Sequence, residues 1–281
     1  MDLSIIIVTY NVRDLTRKCL ASIYKYTQNI DFEVFVVDNA SKDGTVEMIK
    51  KEFKAVNLIA LSKNTGFAYA NNLAIKKAHG NNILFLNPDT EMASNVLETI
   101  VRENDAHDDW GVVGTKILNL DGSIQSSVRR FPGLIDQIFI QLKLHNISFF
   151  KKFLKSYLMS DFDYSKKSQV DQVMGAFFLT KKSVLDKVGL FDQKYYLWFE
   201  EVDLCKRIKD AGLKIVYTPK IEIFHHGGES FKQLNWHKQL IWNHSAHRYF
   251  WLHKPKWQWA VLWLFQPISL LFAVIVYYWK K

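Results

Sequence analysis

Leu3-Ser4-Ile5-Ile6-Ile7-Val8-Thr9-Tyr10-Asn11 opens the chain with a short apolar run, rich in β-branched residues, that ends on small and polar ones. A run of this length and composition reads as a strand buried on both faces. The pattern that follows repeats it. An amphipathic helix is expected over residues 15–26, a strand over 32–37 and a helix from about 44 to 53. A strand over 56–61, a helix over 68–78, a strand over Asn82–Leu86 and a helix over 94–104 continue the series. Continuous apolar strands alternating with helices predict an α/β fold. Its core is a doubly wound, mostly parallel sheet with helices on both faces.

Sheets of this kind bind ligands beyond the carboxyl ends of their strands. The residues at those ends are Thr9, Tyr10 and Asn11, then Asp38 in Asp38-Asn39-Ala40-Ser41, then Asn64 and Gly66, then Asn87 and Asp89. Each group alone is ordinary turn chemistry. Four small, polar or acidic groups converging on one sheet edge read as a binding site.

The second half departs from this regularity. A strand is expected over 112–118, a hairpin turn at Asn119-Leu120-Asp121-Gly122-Ser123, and an apolar, aromatic and basic excursion without a clean period over 132–168. Strand character returns over 170–180. A helix then begins near Glu200 and ends at Gly212, a short strand covers 214–218, and His225-His226-Gly227-Gly228-Glu229-Ser230 follows. Glu200, Glu201 and Asp203 put three carboxylates into a first helical turn. They either complement the helix dipole or form an acid/base centre. Carboxylates this close are expected to raise one another's pKa.

The 281 residues carry a formal net charge of +9. That balance suits a phosphate-bearing substrate, an anionic membrane surface or nucleic acid, but no nucleic-acid recognition motif accompanies it, so nucleic acid is set aside. Cys19 and Cys205 are far apart and outside any CxxC pattern, which reads as two reduced thiols. The first apolar run lacks a basic leader and a small-residue cleavage site, so it is read as a strand and not as a signal peptide.

The ordered set Ile7-Val8-Thr9-Tyr10-Asn11, Val36-Val37-Asp38-Asn39-Ala40-Ser41, Asn64-Thr65-Gly66-Phe67-Ala68, Leu86-Asn87-Pro88-Asp89, Phe199-Glu200-Glu201-Val202-Asp203-Leu204 and His225-His226-Gly227-Gly228-Glu229-Ser230 resembles the family 2 glycosyltransferases of the GT-A fold. Within them it is most similar to the rhamnosyltransferase-like members that build bacterial surface polysaccharides. The resemblance covers about residues 3–230. It implies an inverting glycosyltransferase with a nucleotide-diphospho-sugar donor and a lipid-linked or oligosaccharide acceptor. It also implies a divalent cation, Mg²⁺ or Mn²⁺, at the pyrophosphate.

Residue by residue, the resemblance makes Asp38 the nucleoside-binding aspartate; by itself it also reads as a strand-end cap. Asn87-Pro88-Asp89 takes the place of the family's DXD motif, with Asn in the first acidic position and Asp89 as the metal contact. Glu201, where many relatives carry Asp, takes the place of the general base, with Asp203 as the second candidate and Glu200 beside them. His225 is implied as a ligand of the metal or the pyrophosphate, and Arg129 and Arg130 either meet phosphate or sit in a solvated loop.

The tail has its own character. Residues 235–253 are rich in Trp, Tyr, Phe, His and Lys, and residues 257–279 are almost wholly apolar, with Lys254, Lys256, Lys280 and Lys281 at the flanks. As a helix that run is about 34 Å long, enough to cross a bilayer core. Pro267 near its middle is the place for a kink or a re-entrant hairpin. The expected organisation is a catalytic domain over 1–232 and a membrane-associated helical tail over 233–281, on the cytoplasmic face where nucleotide-sugars are made. The competing classes are a nucleotidyltransferase, which lacks its Gly-rich phosphate loop here, and a membrane-tethered, non-catalytic nucleotide-sugar-binding protein. The oligomeric state has no sequence signal.

Overall fold

The computed structural model describes residues 1–144, 147–227 and 237–279. Gly228, Glu229, Ser230 and the proposed boundary at 232 lie outside the described residues.

The first half follows the expected alternation: β1 (Leu3–Thr9), α1 (Arg13–Tyr26), β2 (Phe32–Asp38), α2 (Thr45–Glu52), β3 (Asn57–Ala60), α3 (Phe67–Ile75), β4 (Asn82–Leu86), β5 (Thr90–Glu91) and α4 (Val96–Asp105). The second half holds β6 (Trp110–Leu118), β7 (Ile124–Gln125), β8 (Val128–Arg129), α5 (Leu134–Gln141), α6 (Ser148–Lys151), β9 (Ser168–Gln169), β10 (Gln172–Val173), β11 (Phe177–Lys181), α7 (Lys182–Val188), α8 (Glu200–Asp210), β12 (Lys214–His225), α9 (His237–His253) and α10 (Lys256–Trp279).

The main sheet runs β3-β2-β1-β4-β11-β6-β12-β5. β1 pairs in parallel with β2 and β4, β2 with β3, and β6 with β12. β11 is antiparallel to both its neighbours, so the sheet is mixed and mostly parallel. Alternation along β1 sends Leu3, Ile5 and Ile7 into a core with Cys19, Leu20 and Ile23 of α1 and Leu97 and Ile100 of α4. Ile6 and Val8 face a second core with Ala70 and Ala74 of α3 and Leu204 and Ile208 of α8. Both cysteines are buried and free, as expected.

Two expected strands are corrected. The run 170–180 is not one strand: β10 ends at Val173 and β11 begins at Phe177, with Gly175 in the turn between them. That turn is held from outside the run, because Met174 N donates to the Ser127 carbonyl and Asn87 N to the Ala176 carbonyl. The strand expected to stop at Thr218 continues past Pro219 to His225. A register shift between Thr218 and Glu222 absorbs the proline, which has no N–H to give to the ladder.

The tail folds back on the domain. Trp251 and Trp259 meet at 4.9 Å between ring centroids, and Asn243 Nδ2 donates to Ser269 Oγ at 3.1 Å, so α9 and α10 form an antiparallel hairpin. Tyr249 and Phe250 of α9 and Leu262 of α10 share a core with Tyr195, Phe199 and Val202. Residues on the two sides of the 232/233 division therefore pack into one hydrophobic cluster. Pro267 lies inside a continuous α10 and makes no re-entrant hairpin. By length and composition α10 is apolar enough to cross a membrane.

Candidate active site

The carboxyl ends of β1 and β2 and the turn before α3 are tied into one surface by side chain to backbone bonds. Asn11 holds φ at 50°, its amide donates to Ser41 Oγ at 2.9 Å, and its Oδ1 accepts from Lys42 N at 2.7 Å. Thr9 is buried, with its hydroxyl 2.8 Å from that of Thr16. Tyr10 is half-buried between them. Asp38 ends β2; its Oδ2 accepts from Ser41 N at 2.8 Å, while Oδ1 is buried without a hydrogen-bond partner among the described residues. One oxygen thus does the strand-end capping, and the other is left to accept from a ligand.

Asn39, which the sequence reading did not single out, connects this edge to the next. Its Oδ1 accepts from Thr65 N and Oγ1 at 3.0 and 3.1 Å, and its Nδ2 donates to the Gly66 carbonyl at 3.1 Å. Asn64 Oδ1 closes the same turn on Gly66 N. Gly66 has φ of +84°, and a Cβ there would stand 2.3 Å from the Tyr196 carbonyl oxygen. The glycine lets residue 196 approach close enough to accept from Phe67 N at 2.9 Å.

After β4, Asn87 and Asp89 meet His225, which the lengthened β12 delivers. His225 Nε2 lies 3.2 Å from Asp89 Oδ1 and 3.3 Å from Asn87 Nδ2, and His225 Nδ1 lies 2.7 Å from Gln125 Oε1. The Gln125 contact orients the imidazole so that Nε2 faces Asp89. Burial alone would raise the Asp89 carboxyl; the hydrogen bond and charge of His225 outweigh it and hold it below the usual carboxylate range. His226 turns the other way, to Glu91 at 2.7 Å.

α8 starts from a strained turn. Trp198 and Phe199 are consecutive left-handed residues, with φ of 65° and 68°, an arrangement that persists only where packing enforces it. α9 supplies that packing: Ser245 Oγ donates to the Leu197 carbonyl at 2.9 Å, and Trp242 lies against both Trp198 and Phe199 at 5.6 and 5.1 Å. The turn presents Glu200 and Glu201 to a cavity of about 430 Å³. Arg129, Tyr157, Gly175, Trp242, His225 and Asn87 are among the residues that line it.

The three carboxylates separate by environment. Glu200 is buried, and desolvation plus the neighbouring Glu201 charge push its carboxyl well above the usual range. Burial also raises Glu201, opposed by local backbone hydrogen bonds and the Arg129 charge; its Oε2 is sealed from solvent and has no hydrogen-bond partner among the described residues. Asp203 corrects the expectation of mutual raising. Burial would raise it, but His253 and Arg207 pair with it, and its carboxyl is lowered. Asp203 is not among the residues lining the cavity.

The structure thus brings Asn87, Asp89, His225, Glu200 and Glu201 around or beside one cavity, with Asp38 and the 9–11 and 64–66 segments on the adjoining strand ends. Arg129 lines the cavity and Arg130 does not. Gln125, Tyr157 and Trp242 carried no signal in the sequence, since each is a single residue outside any motif and far along the chain from those it joins. Among the described residues no group of three His, Cys, Asp or Glu gathers to hold a metal by itself. The pair Asp89–His225 does suit one. Two ligands at about 2.1 Å in adjacent octahedral positions lie about 3 Å apart, which matches their separation, and Mg²⁺-type sites commonly take one or two protein ligands plus substrate phosphates.

Comparison with known proteins agrees with this fold. The chain is 27% identical over 246 residues to the N-acetylglucosaminyl-diphospho-decaprenol L-rhamnosyltransferase of Mycobacterium tuberculosis, covering 81% of this chain and 77% of that one. It is 29% identical over 260 residues to the rhamnosyltransferase WbbL of Escherichia coli, covering 87% and 92%. Among solved structures, the mannosyltransferase PcManGT of Pyrobaculum calidifontis, crystallised with GDP-Man and Mn²⁺, superposes with a TM-score of 0.60 at 18% identity, over 97% of this chain and 73% of that one. That likeness shows the fold. The family model for glycosyl transferase family 2 matches residues 4–189, two thirds of the chain, and the chain therefore belongs to that family of glycosyltransferases.

Proposed function

We propose that the chain transfers a sugar, with inversion, from a nucleoside-diphospho-sugar to a hydroxyl of a lipid-linked glycan in surface polysaccharide synthesis. L-Rhamnose is the first sugar to consider, because two of the most similar relatives bear that activity in their names. One observation carries the reading. A carboxylate of raised basicity, Glu201, and His225, which lies 3.2 Å from Asp89, both line one cavity.

In this reading Asp38 accepts from the nucleoside through its unpartnered oxygen. Asp89 and His225 would hold a divalent cation, Mg²⁺ or Mn²⁺, with Asn87 beside them, and the cation would supply positive charge against the departing diphosphate. The acceptor hydroxyl stands at Glu201. Its oxygen forms a bond to the anomeric carbon while the bond from that carbon to the diphosphate oxygen breaks, and its proton passes to Glu201. A single in-line displacement inverts the configuration. Glu200, whose carboxyl is raised by burial and by the Glu201 charge, is the neutral partner beside Glu201 in this reading. Asp203 keeps α8 in place through Arg207 and His253.

The enzyme acts at the cytoplasmic face of the membrane, where donor and lipid-linked acceptor meet. The test is a panel of nucleotide-sugars offered with a polyprenyl-diphospho-N-acetylglucosamine acceptor, reading nucleoside diphosphate release and the anomeric configuration of the product. A nucleoside-diphospho-rhamnose turned over with inversion supports the reading. A product of retained configuration, or transfer of a nucleotidyl group instead of a sugar, refutes it.

A further inference from the structure

The outer face of α10 has no cover. Trp257, Trp263, Leu264, Ile268, Leu271 and Phe272 are all exposed, at helical spacing, while Leu262, Ser269 and Ala273 face inward. No acidic or basic residue interrupts this face after Lys256. A contiguous apolar stripe of this length is not a surface that water tolerates.

α10 is also not free to stand across a bilayer. It is fastened to α9 at Trp259 and at Ser269, ten residues or about 15 Å apart along its axis. α9 in turn is fastened to the active site through Ser245 and His253. α9 carries Lys238, His244, His247 and Arg248, so an α10 that crossed the membrane on its own axis would draw those groups into hydrocarbon.

A second apolar surface adjoins the first. α10 packs against α5, and Phe139 of α5 meets Phe150 and Phe153 at 5.5 and 5.7 Å. Phe149 and Phe153, 63% and 49% exposed, project from this short helical segment, and Ile135 of α5 is exposed as well. Lys152 lies over both rings, at 4.5 and 5.2 Å, and Lys151 is exposed next to it. Aromatic rings with lysines beside them are the chemistry of a membrane interface.

We propose that the protein is monotopic: α10 lies along the membrane plane within one leaflet, and the Phe149–Phe153 segment with Lys151 and Lys152 is a second contact, made to anionic headgroups. A lipid surface is the fitting occupant, because the exposed Lys151 and the Lys152 beside the rings complement anionic headgroups while the rings enter the interface. The inference draws its purpose, though not its geometry, from the lipid-linked acceptor proposed above.

The experiment uses the full chain, purified in detergent and added to the outside of preformed vesicles of phosphatidylcholine alone or mixed with phosphatidylglycerol. Flotation should favour the anionic vesicles. Lys151→Glu with Lys152→Glu should weaken binding by at least about fivefold per lysine, and Phe149→Ser with Phe153→Ser should weaken it further. Cys19 and Cys205 are fully buried, so a thiol introduced by Lys280→Cys is the reactive one. It should react with a membrane-impermeant maleimide from outside, before lysis. A thiol protected until the vesicles are opened would mean a spanning helix and would overturn the proposal. So would binding indifferent to all four substitutions, or a detergent-free soluble dimer that ignores vesicles. Donor hydrolysis is measured on the same samples. Failure of the unsubstituted chain to bind either vesicle, with donor hydrolysis intact, defeats this inference alone, and vesicle binding without any donor turnover defeats the proposed function alone.

Discussion

Asp203 of α8 and His253 at the end of α9 are joined by a 2.7 Å bond, fifty residues apart in the chain. Arg207 completes the pair from the other side at 2.8 Å and spends its remaining donors on the Val188, Gly189 and Leu190 carbonyls. Asp203 is thereby the point at which α8, α9 and the loop after α7 meet. Its acidic neighbours at 200 and 201 face the cavity instead.

Asp203→Asn is expected to destabilise the protein by about 3–5 kcal/mol, because it leaves Arg207 and His253 without their buried counter-charge. The sign with pH follows from the lowered carboxyl of Asp203. Its stabilisation is present above the unfolded carboxylate pKa and is lost as pH falls through the folded value. Unfolding in mild detergent at several pH values measures this. A variant as stable as the parent at neutral pH would remove the structural role.

Glu200→Gln works in the opposite direction. The Glu200 carboxyl is raised by burial and by Glu201, so the parent loses stability as pH climbs from the unfolded carboxylate value, ~4.3, towards the folded one. Glutamine imitates the neutral acid. The variant should melt above the parent at neutral and alkaline pH, with the difference vanishing in acid. Equal melting curves across the range would argue that Glu200 is not held protonated.

Gly66→Ala should lower both stability and turnover. The added Cβ meets a backbone oxygen at 2.3 Å from a φ of +84°, and neither is relieved by moving a side chain. A strained position of this type costs about 1–3 kcal/mol. The displaced Tyr196 carbonyl lies two residues before the Trp198–Phe199 turn, so turnover should fall along with melting temperature. Unchanged kcat/KM in a folded variant would separate that turn from catalysis.

Asp89→Asn and His225→Gln should each raise the Mn²⁺ concentration needed for half-maximal donor binding by about tenfold or more, since each removes one of two protein ligands. Titrating the cation against donor binding checks this. Full donor binding by either variant in chelator would take the cation out of the site.

The parallel half of the fold was legible because its strands are buried on both faces and its helices are amphipathic, so period and composition agree. The strand ends at Thr9, Asp38, Asn64 and Asn87 were legible for the same reason, as each follows a recognisable strand. Periodicity failed where tertiary contacts override it. Residues 170–180 look like a strand, yet Ser127 and Asn87 hold a turn around Gly175. Pro219 looks like a stop, yet a bulge carries β12 through to His225. Proximity in sequence suggested that Glu201 and Asp203 share an environment. Helix geometry sends them to different faces, and only the fold brings His253 to one and the cavity to the other.

The central claim is that Glu201 removes the acceptor proton. Glu201→Gln keeps the shape and removes the proton acceptor. Transfer to acceptor under single-turnover conditions should fall by about 10²–10⁴, while donor affinity, measured by calorimetry on the same preparation, should change little. Transfer within a few-fold of the parent, at unchanged donor affinity, would contradict the account.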